Sequence, residues 1–216
     1  MLLKSIEGEY LPSFFIIQLD TTQEVNVAIK ENSSTFVHEY IHFLQDLTLP
    51  YCMRENLVCL SAFFDYKAAF LKNRAIHLPN TTLIDDYDLA KLITKMTWGS
   101  VEFIESVAAS NIERINMTFE KPQEKEYRIY QYDLVLDNNK TYQLGARDLL
   151  EYIAHKIESK HFPGEEKLPD LPYHSLDILV NYYKHSDLSE FKRIVLAEYC
   201  LLNDNPIHSL MLFFEE

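Results

Sequence analysis

The chain has 216 residues, of which 47% are hydrophobic and 13% aromatic, with only four Gly. That supply of apolar side chains fits one globular unit and argues against a disordered or loop-rich chain. A formal net charge of −13 speaks against nucleic acid and against an anionic membrane surface as partners, since both need a basic face.

In chain order, Met1 to Glu9 lacks the apolar core of a signal peptide, and no stretch has the length of a transmembrane helix. Cys52, Cys59 and Cys200 form an odd set without a CxxC spacing, which suits free thiols in a reducing compartment and predicts a cytoplasmic location. Ser13 to Asp20 is rich in β-forming residues, and Glu24 to Lys30 alternates polar and apolar residues. Together they predict an N-terminal hairpin, one strand of which could offer its edge to an extended peptide.

The run Asn32-Ser33-Ser34-Thr35 then provides N-cap residues for a helix through Asp46, with Val37, Ile41 and Leu44 turned to a core and Thr48-Leu49-Pro50 as its stop. Within that helix stands His38-Glu39-Tyr40-Ile41-His42, an HExxH pentad. Positions i and i+4 share a helix face, so both imidazoles can reach one metal ion, and Glu39 sits beside the first of them, where it can accept a proton from water. This is the zinc-hydrolase pattern, with His38 and His42 on Zn2+ and Glu39 as general base. The bland alternative is a His pair on a helix surface.

Residues 51–72 carry apolar positions at helical spacing (Leu57, Leu60, Phe63, Phe64), residues 78–82 read as a loop, and residues 87–112 as one or two further helices. Strands follow at 117–119 and 127–136, with a turn at 137–140 and a returning strand at 141–144. Gly145 opens a strong helix that breaks near His161-Phe162-Pro163-Gly164, and helical stretches near 173–185, 188–203 and 206–214 close the chain. The expected class is α+β, mostly helical.

A catalytic zinc usually takes three protein ligands and leaves a fourth position open. The metzincin continuation would require Gly and His where Gln45 and Thr48 stand, and the short spacing of thermolysin-type enzymes leads to Ser61 or Ala62, neither of which can serve. Asp65 lies in a helix that reads as core. Glu151 is favoured: it begins a Glu-x-x-Ala element in which Ala154 permits close helix approach, and Glu158, seven residues on, can accept a hydrogen bond from a ligating His. Glu105, in the similar Glu105-Ser106-Val107-Ala108 element, is the main rival, with Asp65 and Glu198 behind it.

His38-Glu39-Tyr40-Ile41-His42-Phe43-Leu44-Gln45, the later Leu144-Gly145 with Glu151-Tyr152-Ile153-Ala154, and then Pro172-Tyr173 resemble a gluzincin-type HExxH metallopeptidase. More narrowly, they are similar to bacterial proteins with an HEYxHFLQ-like helix and a distant Glu-x-x-Ala helix. The resemblance rests on about thirty residues and differs from well-studied gluzincins in the long gap between His42 and Glu151. It implies Zn2+ held by His38, His42 and Glu151, with Glu39 as base. It also implies a single zincin-like domain over residues 1–216, with about 51–112 as a helical insertion, and a protein or peptide substrate. An oxyanion in such a reaction needs a second electrophile. Tyr173, His174 and His155 are the candidates, and Tyr173 is favoured because Pro172 would fix its entry. Gln45, one turn beyond His42, could orient a ligand or cap the helix, and the structural role is favoured. The competing functions are a catalytically inactive zinc-fold binding module, a metal-free helical scaffold for protein interaction, and an amidase acting on a non-peptide carbonyl.

Overall fold

The structure, a computed structural model, describes residues 3–4, 8–11, 15–73, 85–122, 127–137, 139–164 and 168–215. It is an α+β protein, mostly helical, with two small antiparallel sheets. The first sheet joins β1 (Leu3–Lys4), β2 (Gly8–Leu11) and β3 (Ile16–Leu19) in that order. The N-terminal hairpin is therefore β2 with β3, Gly8 facing Leu19 and Leu11 facing Ile16, and not β3 with the segment that follows it. Val25–Glu31 forms a helix, α1. No Asn-Gly or Asp-Gly pair stands before it to reverse a strand. The alternating Val25 and Val27 stay exposed while Ala28 is buried.

Helix α2 (Ser33–Thr48) carries the HExxH pentad. Asn32 occupies its N-cap position without a side-chain capping bond; the amide instead donates back to Ala28 O at 3.0 Å. The buried face of α2 is largely polar, made of Ser34, Thr35, His38, Glu39, Ile41, His42, Gln45 and Asp46. Leu44, expected in the core, is 41% exposed. Polar groups carried inward on a helix are costly unless they are paired, so this inverted face marks a site. The helix ends at Leu49, and Pro50 opens α3 (Pro50–Asn73) at a first-turn position where its missing N–H costs nothing. Tyr51 of α3 is buried, but Leu57, Leu60, Phe63 and Phe64 are exposed rather than core. Residues 78–82 and the side chains of Cys59 and Asp65 lie outside the described residues.

Helix α4 spans Asp85–Thr97. The helical expectation ends there: residues 98–108 form an irregular strap, followed by a short 3-10 turn at Ala109–Asn111. The strap is held by contacts across the fold. Ser100 N donates to Gln143 O at 2.8 Å, Arg147 N donates to Trp98 O at 3.0 Å, and Ile104 and Leu171 exchange backbone bonds at 3.1 and 3.2 Å. Gly99 begins it with φ +96°, in the region where a side chain is strained.

The second sheet places β5 (Ile129–Leu136) between β4 (Ile112–Glu120) and β6 (Thr141–Leu144). Leu134, Leu136, Tyr142 and Leu144 from this sheet join Leu149, Leu150 and Ile153 of α5 (Ala146–His161) in the main core, each aliphatic side chain stabilising the fold by about 1.5–3 kcal/mol. Helices α6 (Ser175–Tyr182), α7 (Glu190–Cys200) and α8 (Pro206–Glu215) complete it. Residues 146 to 154 are buried without a break, so α5 is the central helix, and α2 packs directly on it. Among the described residues, Cys52 and Cys200 are not joined in a disulfide, and no helix is long and apolar enough to cross a membrane.

Candidate metal centre

The α2–α5 contact brings three side chains to one point. His38 and His42 project from one face of α2, and Glu151 projects from the facing side of α5. His38 Nε2 lies 3.1 Å from Glu151 Oε2, His42 Nε2 lies 3.3 Å from the same oxygen, and the two Nε2 atoms are 3.1 Å apart. All three residues are at most 2% exposed. A tetrahedral ion with ligands at about 2.0–2.1 Å separates its ligand atoms by about 3.3–3.4 Å. The three atoms thus already stand close to one face of such a tetrahedron, and they could hold a metal ion.

The remaining ring nitrogens decide which atoms point inward. Gln45 donates from Nε2 to Leu150 O at 3.1 Å, so its Oε1, 2.7 Å from His42 Nδ1, accepts the imidazole proton. His38 Nδ1 lies 2.9 Å from Glu158 Oε2, and Ser34 Oγ donates to the other oxygen of Glu158 at 2.5 Å. With both Nδ1 atoms engaged as donors, each imidazole in its neutral form would turn its Nε2 lone pair toward Glu151 Oε2. Three such acceptors in a dry pocket repel unless a proton on an imidazole or a metal ion lies between them.

The electrostatics agree. Burial alone would lower the pKa of His38, but its hydrogen bonds to Glu151 and Glu158 and the charge of Glu151 outweigh it and push the imidazole up to about 10. Burial would raise both carboxyls; instead the two His hold Glu151 well below the usual carboxylate range, and His155, His38 and Ser34 hold Glu158 at about 2. The pocket attracts positive charge, as a proton or as a metal ion.

Glu39 is fully buried beside His38. Tyr173 is also fully buried, with its ring centroid 5.9 Å from that of His38. Its hydroxyl has no hydrogen-bond partner among the described residues. Burial, then the charge of Glu151, raises its pKa, so it stays a neutral donor. His155 lies near this group, its ring 5.9 Å from Tyr173, whereas His174 faces Asp177 at 3.7 Å. Glu105, on the strap, and Glu198, on α7, are exposed and away from the pocket, and Asp65 lies outside the described side chains. The structure therefore gathers His38, Glu39, His42, Glu151, Glu158 and Tyr173.

Three contributors escaped the sequence reading in whole or part. For Gln45 the sequence favours the structural role over the ligand-orienting one, yet it orients His42; its position three residues beyond that His on the same face was the available signal. Ser34 read as a capping residue, yet it binds Glu158. Arg147, 3% exposed with Nε 3.9 Å from Glu151 Oε1, had no signal beyond its i, i+4 relation to Glu151.

Comparison with protein-family models gives no match, and neither the curated proteins nor the solved structures contain a match to the chain.

Proposed function

We propose that this chain is a zinc-dependent hydrolase of peptide bonds with a gluzincin-like, zincin-type core, in which His38, His42 and Glu151 hold the zinc and Glu39 is the general base. The observation that carries this reading is the convergence of two imidazole Nε2 atoms and one carboxylate oxygen within 3.1–3.3 Å of one another, on a helix whose next residue after the first His is a buried Glu. When bound, zinc would supply Lewis acidity to a carbonyl oxygen and bring the pKa of water towards neutrality.

The chain's own residues account for the rest. Glu39 takes the proton of the attacking water and delivers it to the leaving amine. Tyr173, neutral and with a free hydroxyl proton, donates to the oxyanion that develops on the carbonyl. Glu158 and Gln45 fix the tautomers of His38 and His42. The outer strand β3 of the first sheet, against which α2 packs, gives an edge along which an extended peptide can pair.

A second reading, a zinc-holding binding module without turnover, is favoured by the burial of the centre: His38, Glu39, His42, Glu151 and Tyr173 are each no more than 2% exposed, whereas catalysis needs an open position. Elemental analysis of the wild type and of E151A and E105A, joined to a peptidase assay with E39Q, separates the possibilities. About one equivalent of zinc, lost in E151A and kept in E105A, is expected. Cleavage by the wild type that falls by about 10²–10⁴-fold in E39Q, with zinc retained, supports the hydrolase. Zinc without cleavage of any peptide supports the binding module, and no zinc after reconstitution removes both.

A further inference from the structure

We propose that Arg147 is a positioning residue that locks Glu151 so that one carboxylate oxygen alone faces the two imidazoles; this rests on the metal-site reading above. The terminal torsion of a Glu side chain is broad and roughly two-fold, so a carboxylate that presents one oxygen must be held by something. Here Oε2 is the oxygen 3.1 and 3.3 Å from the two His. Oε1 is turned away and is buried without a hydrogen-bond partner among the described residues. Arg147, one helical turn earlier on α5, forms an ion pair with Oε1, its Nε at 3.9 Å.

Arg147 is itself fixed from the other side. Its Nη1 donates to Ser100 O at 2.8 Å and to Glu102 O at 3.3 Å, and the guanidinium lies 4.6 Å over the ring of Phe103. Phe103 in turn stacks on Tyr173, with centroids 6.1 Å apart. The guanidinium is thus clamped between the strap and Glu151. A planar, permanently charged group suits that position, being held by carbonyls on one side while its field falls on Oε1 on the other.

Cobalt(II) reconstitution of the full chain tests this, with visible absorption and metal affinity as readouts, because cobalt band intensity falls as coordination number rises. In wild type the bands should be those of a low coordination number. R147M should weaken the bands and lower zinc affinity by about 10–100-fold, the range for lost outer-shell partners. R147Q, which keeps a donor for the strap carbonyls but no charge, should do the same even if R147M fails to fold, and R147K should recover part of the wild-type spectrum. Spectra and affinities of R147M and R147Q equal to wild type would overturn the positioning role and leave the metal site standing. A wild type that takes up no cobalt would overturn the metal site and this proposal with it.

Discussion

Gln45 Oε1 lies 2.7 Å from His42 Nδ1 while the amide nitrogen of the same side chain holds Leu150 O at 3.1 Å. One residue therefore sets the tautomer of a candidate ligand on α2 and ties that helix to α5 one residue before Glu151. Q45L should lower zinc affinity by about 10–100-fold and cost about 1–3 kcal/mol, because a buried imidazole N–H loses its acceptor. Q45E, which keeps the acceptor, should retain more of the affinity. Competition with a chromophoric chelator and urea unfolding measure the two effects.

Metal should also stabilise the fold. Free zinc at about 100 times its Kd should raise the unfolding free energy by about 2.7 kcal/mol. The gain should vanish in H38A, since His38 supplies one of the three converging atoms. Thermal unfolding with zinc and with excess chelator is the measurement; equal zinc stabilisation of wild type and H38A would contradict the site.

The position of α5 depends on a backbone crossing. A Cβ on Gly145 would meet the carbonyl carbon and oxygen of Trp98 at 2.1 Å, closer than any rotamer can relieve. G145A should exceed the about 1–3 kcal/mol of ordinary overpacking and, by shifting α5, should weaken zinc binding as well. Chemical denaturation and zinc titration of the same variant test both halves.

Asp177 should contribute to acid sensitivity. It accepts from Arg193 Nη1 at 2.7 Å and Tyr152 Oη at 2.9 Å and pairs with Lys156 Nζ at 2.8 Å. Burial alone would raise its pKa, but His174, Lys156 and Arg193 hold the carboxyl well below its ordinary value of 3.8. A folded pKa below the unfolded one means that the stabilisation is present above that ordinary value and is lost as pH falls through the folded value. D177N should cost about 1–3 kcal/mol at pH 7, with its difference from wild type shrinking as pH falls below about 4. Urea unfolding at both pH values decides it; an equal loss at each would show that charge is not the cause.

The HExxH helix, the β5–β6 pair and the long helix after Gly145 were legible in the sequence, since each is written in spacing that the backbone itself imposes. On one helix, four residues return a side chain to the same face whatever the rest of the chain does. Local pattern failed where the deciding contacts are distant. The alternation in Glu24 to Lys30 suited a strand, but only Ala28 found a place to bury and the segment is helical. The stretch after Thr97 looked helical, but its backbone bonds go to Gln143, Arg147 and Leu171.

The site divides in the same way. His38 and His42 were fixed as a pair by their spacing, and the Glu-x-x-Ala element favoured Glu151 as their partner. The tertiary structure alone could bring that carboxylate 113 residues along the chain to His38, leave Glu105 and Glu198 at the surface, and set Gln45, Ser34 and Arg147 around the result. Helix geometry determines neighbours one turn apart, whereas convergence of two helices is decided by how their buried faces pack, which no local spacing encodes.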